Sequence, residues 1–160
     1  MKRYNKKTIG VMLGGLLCLS ISACVSDPLD EEQYTKKLTL IGAQEELQEK
    51  EVKYGSDGEF FVTAYCGGTK IHEEDVTVTL GEADQCNIDN YNYKNILEGE
   101  TEYVALPKEW YEIPSYTSVI KSGERYVRFP VRVDTDKIDA DSRYLIPLKI
   151  VDSKPYPVNE

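Results

Sequence analysis

The chain has 160 residues, of which 28 are acidic and 19 basic, for a formal charge of −9. Acid spread this widely argues against nucleic acid and anionic lipid as ligands, because both demand concentrated Lys and Arg. A single histidine, with no CxxC or Cys/His spacing among four cysteines, suggests no metal site, and nothing in the sequence asks for a cofactor.

Residues 1–7 carry Lys2, Arg3, Lys6 and Lys7 without an acid, and residues 9–21 are a run of 13 apolar or small residues. A basic start followed by a run too short to span a bilayer is a secretory leader. The run ends in Ile21-Ser22-Ala23-Cys24, which resembles the lipobox of signal peptidase II substrates. Residues 1–23 are therefore expected to be removed, leaving Cys24 as the lipid-carrying first residue and as the link to a membrane. The leader takes four basic residues with it, so the remaining charge becomes −13. Residues 24–35 begin Cys24-Val25-Ser26-Asp27-Pro28-Leu29-Asp30-Glu31-Glu32 and read as an acidic tether. That stretch resembles the signal that carries Bacteroidetes lipoproteins to the outer face of the outer membrane. The expectation is a lipid-anchored outer-membrane protein facing the cell exterior.

Downstream the dominant period is two. Phe60, Val62, Ala64 and Cys66 alternate with Phe61, Thr63 and Tyr65, and Val76, Val78 and Leu80 alternate with Thr77 and Thr79. Later, Val127, Phe129, Val131 and Val133 alternate with Tyr126, Arg128, Pro130 and Arg132, and Tyr144, Ile146, Leu148 and Ile150 with Pro147 and Lys149. Each run predicts a strand with one buried face. Residues 37–43, 48–54 and 116–121 are expected to add strands, with glycines marking turns. Residues 88–97 place Ile88, Tyr91 and Ile96 at helical spacing and predict one short helix. The resulting class is all-β: an immunoglobulin-like two-sheet sandwich of about seven strands over residues 36–151, followed by a tail at 152–160. Pro130 and Pro147 lack ladder donors and belong at edges or bulges.

Cys66 and Cys86 could form a bridge in an export compartment or remain two thiols, the first buried. His72 lies in the polar stretch Lys70-Ile71-His72-Glu73-Glu74-Asp75 and reads as surface filler in a turn. Catalytic triads and histidine metal sites both lack parts, and carboxylate pairs are too abundant to single out a dyad. Asp134, Asp136, Asp139 and Asp141 lack the glycine and terminal Glu of a calcium loop and read as a solvated turn. The aromatics are the binding signal, since flat amphipathic rings stack on sugar faces. Tyr91, Tyr93, Tyr103, Trp110 and Tyr116, with Tyr111 beside them, cluster in the least regular stretch and are the candidate glycan contacts, against the alternative that they fill a core.

Glu59-Phe60-Phe61-Val62-Thr63-Ala64-Tyr65-Cys66 and Asp75-Val76-Thr77-Val78-Thr79-Leu80 resemble the opening of an N-terminal domain of unknown function found on many Bacteroidetes surface lipoproteins. The second half is closer still, in Leu106-Pro107-Lys108-Glu109-Trp110-Tyr111-Glu112-Ile113-Pro114, Ile120-Lys121-Ser122-Gly123-Glu124 and Tyr144-Leu145-Ile146-Pro147-Leu148-Lys149-Ile150. The resemblance covers roughly residues 36–151. It implies an immunoglobulin-like domain that commonly precedes a carbohydrate-binding or glycosidase module in polysaccharide utilisation systems. The sequence stops soon after the last expected strand, so no activity of a downstream module is carried over, and the family supplies no catalytic residues. Three readings follow: a non-catalytic accessory that binds polysaccharide, a structural or adhesin-like module that contacts a neighbouring surface protein, and, least favoured, an enzyme.

Overall fold

In the computed structural model, residues 31–43, 47–55 and 57–159 are described, and the leader, Cys24 and the tether through Asp30 lie outside them. Among these residues nine strands run in chain order: β1 (Leu38–Leu40), β2 (Asp57–Cys66), β3 (Val76–Glu82), β4 (Tyr103–Ala105), β5 (Tyr111–Glu112), β6 (Thr117–Ile120), β7 (Tyr126–Asp134), β8 (Arg143–Leu145) and β9 (Leu148–Lys154). A single α-helix among the described residues, α1 (Gln85–Asn95), follows β3. The predicted alternation places these elements in two antiparallel sheets, β1-β2-β7-β5 and β6-β3-β9, with a parallel pair, β4-β8, beside them. The fold is the all-β sandwich expected from the sequence.

Period two determines what is buried. Along the register of β2 with β7, Ala64 faces Val127, Val62 faces Phe129 and Phe60 faces Val131 on the inner side. Between these pairs, Glu59 faces Arg132, Phe61 faces Pro130, Thr63 faces Arg128 and Tyr65 faces Tyr126 on the outer side. Phe129, Leu38, Ala64, Val76, Val78 and Ile120 then close one core between the two sheets. A second core gathers Leu106, Ile113, Val131 and Val133, with Trp110, Tyr111 and Tyr144 packed against it.

The expected strand at 144–150 is two strands. The chain leaves β8, which pairs with β4, passes Pro147 and enters β9, which pairs with β3. Pro147 thus falls where the ladder is already changing partners, and its carbonyl accepts from the Ala83 N–H at 3.0 Å. Pro130 lies beyond the end of β5, where β2 is the one ladder partner of β7 among the described residues. Val151 is squeezed out by a register shift in β9, and Gly81 makes room for it: a Cβ on Gly81 would come within 2.5 Å of a Val151 methyl.

Four further expectations are corrected. Residues 48–54, expected as a strand, form no ladder; residues 47–52 instead line a cleft beside the sheet. Residues 152–159 are not a tail. β9 continues to Lys154, Tyr156 and Val158 pack on the first core, and Leu38 exchanges backbone bonds with Pro157 and Asn159 at 2.9 and 2.7 Å. The end of the tether is docked too: Glu32 pairs with Lys36 and accepts from the Thr69 N–H at 2.6 Å.

The fourth is His72, which is only 2% exposed. Its Nδ1 meets the Glu74 carbonyl at 2.6 Å and must carry the proton there, because a carbonyl only accepts. Nε2 has no partner among the described residues. The Asp134–Asp141 acids do sit in a turn, with Asp134 paired to Lys137 at 2.8 Å and Asp139 accepting from Ser142 at 3.0 Å.

Cys66 and Cys86 are free thiols, so no bridge forms. Cys66 ends β2 pointing into the core, whereas Cys86 is exposed on the first turn of α1. Burial pushes the Cys66 thiol up, so its thiolate is scarce at neutral pH. In the fragment 25–160, a thiol-reactive dye is expected to label Cys86 at once and Cys66 only in denaturant. Two equally fast thiols, or none, would contradict this arrangement.

Candidate functional site

The site begins with Asn92, a buried polar residue on a helix that otherwise buries only Ile88. Asn92 is a clamp: its Nδ2 donates to the Tyr103 carbonyl at 2.8 Å, and its Oδ1 accepts from the Tyr103 N–H at 3.0 Å. That bidentate bond stands in for a strand neighbour and pins α1 to β4. It brings two sequence-predicted aromatics together. Tyr91 and Tyr103 meet edge to face at 5.6 Å, and the Arg143 guanidinium lies over the Tyr103 ring at 5.7 Å. Arg143 arrives through the parallel β4–β8 pairing, which puts it opposite Tyr103.

These residues edge a cleft of about 700 Å³, bounded on its far side by the segment around residues 47–52. Its lining is mainly hydrophobic and aromatic, including Phe60, Val62, Leu106, Tyr91, Tyr103 and Tyr144, with Glu49, Lys50, Glu51 and Arg143 among its charged members. A cleft of this size with a few polar groups at its mouth suits a small molecule or the end of a larger one.

The other predicted contacts lie elsewhere. Tyr93 is 91% exposed and points to solvent from α1. Trp110 packs edge-on to Tyr144 at 5.8 Å and against the second core, beside a shallower hollow of about 270 Å³ that includes Tyr111 and Arg132. Tyr116 packs against both cores. The Tyr111 hydroxyl donates to Glu82 at 3.4 Å, and its pKa is pushed up to about 12, chiefly by burial and then by Tyr116 and Glu82. It stays a neutral phenol.

Sequence reasoning missed Arg143 and Tyr144. Tyr144 was legible as a strand position, but its place in the cleft lining depends on a pairing with residues forty positions earlier. Among the described residues, no three His, Cys, Asp or Glu side chains are grouped to hold a metal ion, and no helix is long and apolar enough to cross a membrane.

Residues 30–157 match the model of a family described as an N-terminal domain. The chain belongs to that family. Among solved structures, it is similar to a Bacteroides ovatus multidomain protein that includes the domain of unknown function DUF1735: TM-score 0.54, 19% identity, 63% of this chain and 34% of that one. It is also similar to a B. ovatus protein proposed to bind carbohydrate, with TM-score 0.56, 22% identity, and 68% and 30% of the two chains. A B. ovatus protein of unknown function gives TM-score 0.56 and 16% identity over 77% of this chain. These likenesses show the fold, and the chain spans about a third of the length of the first two. No curated protein matches it. Within the family fold, the Asn92 clamp makes a local prediction. Asn92→Ala strands the Tyr103 N–H and carbonyl together and is expected to cost about 2 kcal/mol in urea unfolding, and Asn92→Asp, which keeps only the acceptor, at least as much. Unchanged stability in both variants would show that α1 is held by Ile88 alone.

Proposed function

We propose that this chain is a lipid-anchored domain on the outer face of the outer membrane, a non-catalytic accessory that binds polysaccharide in the Tyr91–Tyr103–Tyr144 cleft. The observation that carries the reading is the Tyr91–Tyr103 pair with Arg143 over it, at the mouth of a cleft large enough for sugar rings. Rings, a guanidinium and backbone groups at an apolar rim suit the alternating faces of a glycan, one face C–H and the other hydroxyl. The carbohydrate binding proposed for one similarly folded protein agrees with it. The acidic surface is consistent with an exposed, soluble position and leaves nucleic acid aside.

The test is retention of the fragment 25–160 on a panel of immobilised polysaccharides, beside Tyr91→Ala/Tyr103→Ala and Trp110→Ala. Retention that the double variant abolishes and Trp110→Ala preserves supports the cleft. A parent that no polysaccharide retains defeats the reading and favours a structural module. For that second reading there is one observation: among the described residues β9 pairs along one side, with β3, leaving an edge that a partner strand could extend.

A further inference from the structure

The outer face of the β1-β2-β7 sheet is the half of a period-two strand pair that ought to be polar. Here it carries rings. Phe61 is 44% and Tyr126 50% exposed, and Tyr65 stands directly opposite Tyr126 in the register. Four residues apart on β2, Phe61 and Tyr65 are separated by about 13 Å along the strand. Pro130, opposite Phe61, extends the apolar end across to β7, and Thr39, opposite Tyr65, continues the other end onto β1. Nothing in the two cores needs these side chains, which point away from both.

Charge marks the centre of this strip. Arg132, at one end, is neutralised by Glu59 at 3.3 Å and Glu112 at 3.8 Å. Arg128, between the rings, has no acidic partner among the described residues, although acids outnumber bases in the chain. It faces Thr63, and its guanidinium lies over the Tyr126 ring at 5.4 Å. An exposed cation held in place by an aromatic face, with a neutral residue opposite it, is complementary to an anion lying flat on the sheet.

We propose that this face is a second glycan platform, one that takes a polysaccharide strand bearing carboxylates, with Phe61, Tyr65 and Tyr126 stacking on sugar rings and Arg128 pairing with a uronate. The proposal rests on the polysaccharide reading above and adds to it a substrate class and a surface separate from the cleft. A flat, open row of rings suits the side of a long chain. The cleft suits an end or a branch. Arg128 then supplies selectivity for charged over neutral chains, while the rings bind either.

Affinity electrophoresis of the fragment 25–160 through gels containing polygalacturonate or neutral pullulan tests this. The parent should be retarded by polygalacturonate. Phe61→Ala/Tyr126→Ala should weaken that retardation about tenfold or more, and Phe61→Leu/Tyr126→Leu, which keeps apolar bulk and strand preference but removes the rings, should do the same with an unchanged melting temperature. Arg128→Gln should weaken binding to polygalacturonate several-fold at low salt, by less at high salt, and leave pullulan unaffected. Tyr91→Ala/Tyr103→Ala should leave polygalacturonate binding as it was.

Retardation by polygalacturonate that the cleft variant abolishes and both sheet-face doubles preserve overturns the platform while leaving the cleft reading standing. No retardation of the parent by polygalacturonate overturns the platform, while the cleft reading falls only if the wider polysaccharide panel also fails to retain the parent. A parent that sediments as a dimer, and as a monomer after the Phe61/Tyr126 changes, overturns the platform by assigning the face to a second copy.

Discussion

Phe129→Ala is expected to destabilise the domain by about 4 kcal/mol, the largest effect of any single truncation in the sandwich. Phe129 is 1% exposed, stands opposite Val62 in the central β2–β7 pair, and packs in the core that also contains Leu38, Val78 and Ile120. Removing its ring leaves a cavity between two sheets whose strands are fixed by their ladders and cannot collapse into it. Because a domain of this size has a total stability on the order of 5–15 kcal/mol, the variant should still fold but melt roughly 12–20 °C lower. Arg128→Ala, one residue earlier and on the opposite face, should cost less than about 1 kcal/mol. Comparable losses at both positions would mean that the inside and outside of β7 are misassigned.

That contrast is also what was most legible in the sequence. Alternation at 60–66, 76–80 and 126–133 placed inner and outer residues correctly because the period of a strand is local and depends only on its own pleat. Everything that depended on distant pairing was harder to read. The break at Pro147 comes from β8 and β9 having partners in different sheets, Tyr103–Ala105 and Val76–Glu82. Residues 152–159 looked like a tail because the strand they lean on, β1, lies more than a hundred positions earlier. His72 sits among charged neighbours and is nonetheless buried, since Tyr156 from that same terminal segment approaches it, ring to ring, at 6.3 Å.

The candidate site divides the same way. Tyr91 and Tyr103 could be picked from the irregular stretch by residue type, but their contact needs Asn92, whose clamp reaches a residue eleven positions later. Arg143 and Tyr144 enter through the parallel β4–β8 pair, which no local pattern announces. The outer-face rings were visible as the residues alternating with a buried row on each strand. Their meaning came only from the register, which sets Tyr65 against Tyr126 and Arg128 against Thr63.

Cys24→Ser is expected to abolish lipid attachment completely, and with it the position in which the sandwich is proposed to work. At the end of Ile21-Ser22-Ala23-Cys24, only a thiol would form the thioether that carries a diacylglyceryl group. A hydroxyl there is neither modified nor followed by cleavage. Anchoring by a single acyl chain is marginal, so stable tethering would need the two or three chains that lipoprotein maturation is expected to place on Cys24. Cells expressing the full chain and fed labelled fatty acid should incorporate label into the parent and none into Cys24→Ser, which should also migrate as the larger, uncleaved precursor. Cys66→Ser and Cys86→Ser should label like the parent, since one thiol is buried in the core and the other lies on α1, far along the chain from the leader. Label retained in Cys24→Ser would place the lipid elsewhere and detach the proposed function from the cell surface, leaving the cleft and the sheet face as properties of a protein whose address has to be sought again.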